Sequence, residues 1–244
     1  MIRIILIAIF LFLFLLLGNV LLAALWLLGK WKKPWADLIS LRIVQIAFQW
    51  ILFVAGVEVT VIGEENIPDE PVLFIGNHRS YFDILVTYSR CRRLCGYVAK
   101  KEMLRYPFLR VWMKRLYCLF LDRDNIREGM KTILEAIEYM NRGISICIFP
   151  EGTRNTGEEG SLLPFHAGSF KIAEKSGCAI IPMSLCNTVE IFEAHLPKVR
   201  PTHVVLEYGK PIYPKNLSKE ERKNLPSYFE NLIRETIKKN QSLV

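Results

Sequence analysis

From Ile4 to Leu28 the chain carries no charge, and Asn19 is the one clearly polar side chain in the run. As a helix this run extends about 37 Å, against roughly 30 Å for the hydrocarbon core of a bilayer. A secretory signal has a much shorter apolar region and ends in a small-residue cleavage site. Here the run ends in Leu25-Trp26-Leu27-Leu28-Gly29-Lys30, which favours a retained anchor. A second helix is predicted from Asp37 to Val57, with Arg42, Gln45 and Gln49 on one face among Ile43, Val44, Ile46, Ala47, Phe48 and Ile51. That polar stripe fits an interfacial or re-entrant helix better than a full span. A core helix packed on the following domain is the other option.

Past residue 57 short apolar runs alternate with helical patterns. Glu58–Ile62, Pro71–Ile75, Gly96–Ala99, Leu116–Leu121, Ile144–Phe149, Ala179–Leu185 and His203–Tyr208 read as strands. Helices are predicted near Ser80–Ser89, Pro107–Leu116, Asn125–Gly143 and Gly168–Ser176. Asn125 caps the third of these, and Met130, Ile133, Leu134, Ile137 and Met140 form its apolar stripe. The C-terminal tail carries Phe229, Leu232, Ile233 and Ile237 on one helical face. Strands alternating with helices predict an α/β fold, a largely parallel central sheet flanked by helices. The expected division is a two-helix membrane anchor over residues 1–57 and an α/β domain over residues 58–244.

Charge narrows the choice of partner. The 244 residues carry a formal net charge of +8, with Lys30, Lys32, Lys33 and Arg42 gathered beside the apolar run and Trp31 and Trp35 among them. Basic residues flanking a membrane segment favour the cytoplasmic side, and tryptophan favours the interface. No zinc-finger spacing, aromatic RNA-binding motif or basic helix outside this belt points to nucleic acid. An anionic membrane surface or anionic lipid explains the charge better. The six cysteines fall mostly in apolar runs and read as free thiols in a core. With four histidines and no His-Glu-x-x-His pattern, no catalytic metal is expected.

Four polar clusters stand at the ends of predicted strands: His78 with Asp83, Lys100 with Lys101, Arg123 between Asp122 and Asp124, and Glu151 with Arg154. Five residues on a helix turn through roughly 500°, which leaves two side chains about 140° apart. His78 and Asp83 therefore meet only if His78 stays in a turn and Asp83 lies in the first turn of a helix starting near Ser80. Ser80-x-x-Asp83 is a capping signature for that start. A carboxylate on one imidazole nitrogen fixes the tautomer and leaves the other nitrogen as a general base. Taken alone, the same residues also fit a capped turn with a satisfied histidine. The lysines also fit a solvated turn, Arg123 a surface salt bridge, and Glu151 with Arg154 a pair in a structural loop. Basic groups recurring at the histidine's own strand edge are what those separate readings leave unexplained. Arginine forks and lysine point charges both bind phosphate oxygens.

Asn77-His78-Arg79-Ser80-Tyr81-Phe82-Asp83 resembles the N-H-x-x-x-x-D motif of the glycerolipid acyltransferases, and Phe149-Pro150-Glu151-Gly152-Thr153-Arg154 resembles their F-P-E-G-T-R motif. Phe120-Leu121-Asp122-Arg123 is similar to the motif between them, and Ile180-Ile181-Pro182-Met183 to their proline-containing fourth motif. The resemblance runs from about Glu58 to Pro211 and is strongest with the 1-acyl-sn-glycerol-3-phosphate acyltransferase branch, including Lys-x-Glu at Lys100–Glu102. It implies acyl transfer from acyl-CoA or acyl-carrier protein, as co-substrate, to the free hydroxyl of lysophosphatidic acid, with no cofactor. His78 is then the base and Asp83 its orienting partner. Arg123 and Arg154 hold the phosphate, while Glu151, Gly152 and Thr153 shape the substrate pocket, and Lys100 and Lys101 are further substrate-binding candidates. Many relatives carry lysine after Leu-Pro-Phe, where this chain has His166-Ala167, for which a structural or surface role is expected. The same chemistry on another lysolipid, and a non-catalytic lipid-binding membrane protein, are the alternatives. A serine hydrolase is disfavoured because Gly168-Ser169 lacks the G-x-S-x-G elbow.

Overall fold

The computed structural model describes residues 1–123 and 125–244, Ile126 by its backbone alone, so that Asp124 lies outside the described residues. The apolar N-terminus is a helical hairpin of α1 (Ile2–Trp31) and α2 (Lys33–Ala55). Both helices are long and apolar enough to cross a membrane. They run antiparallel, with the Phe10 and Trp50 rings 4.1 Å apart near one end and Gly29 against Ala36 near the other. Pro34 starts α2, and Gly56, in the left-handed region at φ 74°, ends it.

One residue of the polar stripe of α2 is buried against the rest of the protein. Gln45 Nε2 donates to the carbonyls of Tyr88 and Cys91 at 3.2 and 2.7 Å. These lie at the end of a later helix, where carbonyls lack helical partners. Asp37 and Ser40 are buried as well, whereas Trp35, Leu38, Ile39, Ile46 and Phe53 are exposed. Of the stripe Arg42, Gln45 and Gln49, only Gln45 is buried against protein, and α2 turns Leu41, Val44, Ala47 and Ile51 inward and a second apolar set outward.

A seven-stranded sheet follows. In chain order the elements are β1 (Val57–Ile62), β2 (Leu73–Gly76), α3 (Phe82–Tyr88), β3 (Cys95–Lys100), α4 (Pro107–Arg115), β4 (Leu119–Leu121), α5 (Ile126–Asn141), β5 (Ser145–Ile148), α6 (Lys171–Ser176), β6 (Ile180–Cys186), β7 (Thr202–Tyr208), α7 (Lys219–Lys223) and α8 (Leu225–Asn240). The spatial order is β1-β7-β6-β2-β5-β3-β4. Every neighbouring pair is parallel except β6 with β7. Helices cover both faces, as a mainly parallel sheet requires. Cys147 of β5 joins a cluster with Leu41, Val44 and Ile51 of α2, Val86 of α3 and Trp112 of α4. Ile146 and Ile148 of the same strand join Ala136 of α5, Ile172 of α6 and Phe229, Ile233 and Ile237 of α8. The hairpin and the sheet thus share one apolar cluster.

Two expectations shift locally. The strand expected from Leu116 begins only at Leu119, because Leu116 caps α4 and Tyr117 turns through φ 61°. Gly96 receives that turn so closely that a Cβ there would lie 2.2 Å from the Tyr117 carbonyl oxygen. On α5 the buried stripe runs through Ala136 and Met140, and Leu134 is exposed. The four parallel neighbours β2, β5, β3 and β4 end at one edge of the sheet, which collects the turns after Gly76, Ile148, Lys100 and Leu121.

Candidate active site

The turn after β2 is held by its own side chains. Where the main chain leaves the ladder, Asn77 replaces it, donating to the Leu185 carbonyl at 2.9 Å and accepting from the Leu185 amide at 2.8 Å. The His78 amide donates to Glu151 Oε1 at 2.8 Å, and the His78 carbonyl accepts from the Asn155 amide at 2.7 Å. With its backbone gripped from both sides, His78 lays its ring on Phe149, the centroids 4.4 Å apart and the planes 16° from parallel.

Asp83 lies in the first turn of α3, and its Oδ2 is 2.8 Å from His78 Nδ1. The same oxygen accepts from the amides of Arg79 and Ser80 at 2.7 and 2.8 Å, and Oδ1 accepts from Thr188 Oγ1 at 2.5 Å. The carboxylate is fully buried. Three of its contacts are from fixed or hydroxyl donors, so the fourth places hydrogen on Nδ1 and leaves the lone pair on Nε2. The His78 side chain keeps 15% of its surface exposed. The helix expected at Ser80 starts at Phe82, whose amide is capped by Ser80 Oγ at 3.0 Å.

Behind β5, Glu151 braces two loops. Its Oε1 is taken by His78 and its Oε2 accepts from the Leu163 amide at 2.8 Å. Burial pushes its carboxyl pKa up, against the pull of those two amides. Gly152 follows in the left-handed region at φ 72°. A Cβ on it would lie 3.0 Å from Arg123 Cζ and 3.2 Å from each Nη, so the Arg123 guanidinium rests over this glycine. Thr153 is exposed. Arg154 is oriented on three sides: Nη1 lies 3.2 Å from Glu193 Oε1, Nη2 donates to Tyr81 Oη at 3.0 Å, and Cζ sits 3.7 Å from the Tyr81 ring centroid.

The two lysines after β3 differ from each other. Lys100 is exposed, and Lys101 Nζ pairs with Asp122 Oδ2 at 2.6 Å, across to the turn that carries Arg123. His166 is exposed, with its amide tied to the Pro150 carbonyl at 3.0 Å. All six cysteines are free thiols, and burial pushes Cys118 up to about 11 and Cys186 up to about 12. Among the described residues no group of three or more His, Cys, Asp or Glu side chains is placed to hold a metal.

Sequence reasoning missed Thr188, Glu193 and Tyr81. Glu193 accepts from Ser80 Oγ at 2.7 Å and from the Tyr81 amide at 2.8 Å, besides pairing with Arg154. Thr188 and Glu193 both belong to the segment of two short 3-10 turns after β6. The resulting site offers a buried carboxylate, an oriented histidine with one nitrogen open, and two guanidinium groups on neighbouring turns. Such a set removes a proton from an external hydroxyl and binds an anionic group nearby.

The acyltransferase family model matches residues 58–186, which contain this entire set except Glu193 and Thr188. The 1-acyl-sn-glycerol-3-phosphate acyltransferase of Borreliella burgdorferi is 35% identical over 188 residues, 75% of this chain and 72% of that protein. The Saccharomyces cerevisiae 1-acyl-sn-glycerol-3-phosphate acyltransferase is 31% identical over 167 residues, 68% of this chain and 55% of that protein. Among solved structures, the 1-acyl-sn-glycerophosphate (LPA) acyltransferase of Thermotoga maritima superposes with a TM-score of 0.79 over 98% of this chain and 97% of that one, at 24% identity.

Proposed function

The chain belongs to the acyltransferase family, and from that premise we propose that it moves a fatty acyl chain from a thioester to the free hydroxyl of 1-acyl-sn-glycerol 3-phosphate, giving phosphatidic acid. The observation that carries this reading is the His78–Asp83 pair with Nδ1 engaged and Nε2 open, at the sheet edge whose turns also carry Arg123 and Arg154. Nε2 takes the hydroxyl proton as the oxygen attacks the thioester carbonyl. The tetrahedral species then expels the thiolate, which receives the proton back from the imidazolium. Asp83 supports the charge on the ring between the two transfers. The nucleophile is the acceptor itself, so no acyl-enzyme forms. Arg123 and Arg154 receive the acceptor phosphate, with Gly152 leaving the room a side chain would fill. The donor is acyl-CoA or acyl-carrier protein.

The hairpin seats the enzyme at the membrane in which acceptor and product reside. Both of its ends touch the catalytic domain: Gly56 packs against Pro201 at one end, while at the other Lys33 and Asp37 bond Tyr117, and Arg115 pairs with Asp37 at 3.0 Å. Midway, Phe14 stacks on Trp112 of α4 at 5.2 Å and Gly18 lies beneath the same indole. A hairpin crossing the bilayer would carry α4, with Arg110 and Lys114, to the membrane centre, at about 2.5–3.5 kcal/mol for each charge on insertion scales. The hairpin therefore lies in the leaflet facing the domain. The basic residues and tryptophans around Lys30–Trp35 support the cytoplasmic face.

Thiol release from oleoyl-CoA by detergent-solubilised protein, with and without lysophosphatidic acid and beside His78→Ala, tests the reaction. Release that requires the acceptor and is lost in folded His78→Ala is expected. Acceptor-independent release makes the protein a thioesterase, and activity retained in His78→Ala removes the base assignment.

A further inference from the structure

Glu193 has no counterpart in the motifs that identify the site, yet it touches two of them. Its Oε1 receives the Tyr81 amide at 2.8 Å and Arg154 Nη1 at 3.2 Å, and its Oε2 receives Ser80 Oγ at 2.7 Å. Ser80 and Tyr81 stand two and three residues after His78. One carboxylate thus ties the turn that carries the base to the arginine on the turn after β5. The Tyr81 side chain completes the hold from the other side, by stacking under the guanidinium and accepting from Nη2.

A carboxylate on an arginine invites the opposite interpretation, a tethered anion occupying the place of the substrate phosphate. Burial decides between the two. The Glu193 side chain is 15% exposed and Ser80 is wholly buried, whereas the Arg154 side chain is 34% exposed and Tyr81 55%. A phosphate that displaced Glu193 would strand the hydroxyl of the buried Ser80, and an unmet buried donor is costly. The exposed edge of Arg154 is reached without moving Glu193.

On the reading that Arg154 binds the acceptor phosphate, we infer that Glu193, assisted by Tyr81, is a positioning residue that fixes Arg154 relative to His78 and so sets the preference for a phosphorylated acceptor. Glu193 touches no substrate. It withholds one edge of the guanidinium from rotation and aligns the remaining donors, which is how a fork gains specificity over a point charge.

The test is a double-mutant cycle of Glu193→Gln and Arg154→Ala in the full-length detergent-solubilised enzyme, followed by acceptor-dependent thiol release from oleoyl-CoA. Glu193→Gln keeps the shape and part of the hydrogen bonding while removing the charge. The KM for lysophosphatidic acid should rise about tenfold, the size of one charge-assisted bond made less effective. The KM for oleoyl-CoA and the melting temperature should stay at wild-type values, and the preference for lysophosphatidic acid over uncharged monoacylglycerol should fall by a similar factor. In the Arg154→Ala background Glu193→Gln should change the acceptor KM no further, because its effect passes through that arginine. Tyr81→Phe, which removes only the Nη2 bond, should give a smaller rise of the same kind. An unchanged or lowered acceptor KM in Glu193→Gln overturns the inference, the lowered value marking Glu193 as a competitor of the phosphate. Additive effects in the cycle overturn it too, leaving Glu193 a general brace of the fold. If Arg154→Ala alone raises the acceptor KM, only the role of Glu193 fails. If wild type transfers nothing to lysophosphatidic acid, the functional reading fails and this inference goes with it.

Discussion

His78 and Asp83 meet because the chain is bent between them, and the bend is made by the residues they enclose. The amides of Arg79 and Ser80 converge on the carboxylate that also receives the histidine, so one buried group caps the helix and orients the base. Thr188 closes the remaining side of that carboxylate. Thr188→Val keeps the volume and removes the hydroxyl, leaving Asp83 Oδ1 buried without this donor. That costs about 1–3 kcal/mol of stability. Because Asp83 then holds His78 less firmly, kcat should fall on the order of tenfold, the reach of a general-base contribution being about 10²–10⁴. Urea denaturation and steady-state kinetics read both effects, and wild-type values for each would show that Asp83 needs no help from Thr188. The histidine, the aspartate and both arginines were legible in the sequence because each lies within a few residues of its own strand end. Thr188 and Glu193 were not, since they reach the site across 105 and 113 residues and no local spacing announces them. The sequence singled out Glu151 by its place after β5, but not that both its oxygens serve backbone amides.

The elements tell a similar story about range. Periodicity locates strands and helices because the side chains of one element share a face, and it placed all seven strands. It errs where a neighbour decides the outcome. The start of β4 is set by the tight approach of Gly96 to Tyr117, and α5 buries Ala136 in preference to Leu134 because small residues let that helix sit close to the sheet. The polar stripe of α2 was visible, but the carbonyls of Tyr88 and Cys91 that its Gln45 satisfies are more than forty residues away. Gly152 shows an element boundary with a chemical purpose. Its φ of 72° turns the chain out of β5, and the missing Cβ makes room for Arg123. Gly152→Ala should cost about 1–2 kcal/mol from the left-handed backbone alone. The added methyl should also push the Arg123 guanidinium aside, raising the KM for lysophosphatidic acid while leaving that for oleoyl-CoA unchanged. Thermal unfolding separates the two effects: destabilisation with unaltered acceptor KM would place Arg123 outside the phosphate site.

At the scale of the whole molecule, the deciding fact is that the hairpin touches the following domain at its open end, midway and at its tip. Length and composition made α1 a membrane segment on sequence grounds, and they could not say how it lies, because that depends on what flanks it. The contacts at Gly56, Trp112 and Tyr117 run along the hairpin from its open end to its tip. Its apolar outer surface, with Ile5, Ile9, Phe12, Leu16, Val20 and Trp26 exposed, faces away from them. A spanning hairpin puts Lys32, at the tip, across the bilayer from the catalytic site, whereas a hairpin lying in one leaflet keeps both on one side. Lys32→Cys in sealed membrane vesicles distinguishes the two arrangements through labelling with a membrane-impermeant maleimide. The native thiols are buried or half-buried, so wild type gives the background. Labelling is expected from the side on which added oleoyl-CoA is turned over. Labelling only from the opposite side would mean that the hairpin spans the bilayer and that its packing against α4 and Tyr117 is released in the membrane. The one-leaflet arrangement also carries a functional consequence, since an acceptor whose acyl chain stays among lipids must present its hydroxyl sideways at the interface, and the sheet edge that carries His78 shares that interface with the open end of the hairpin.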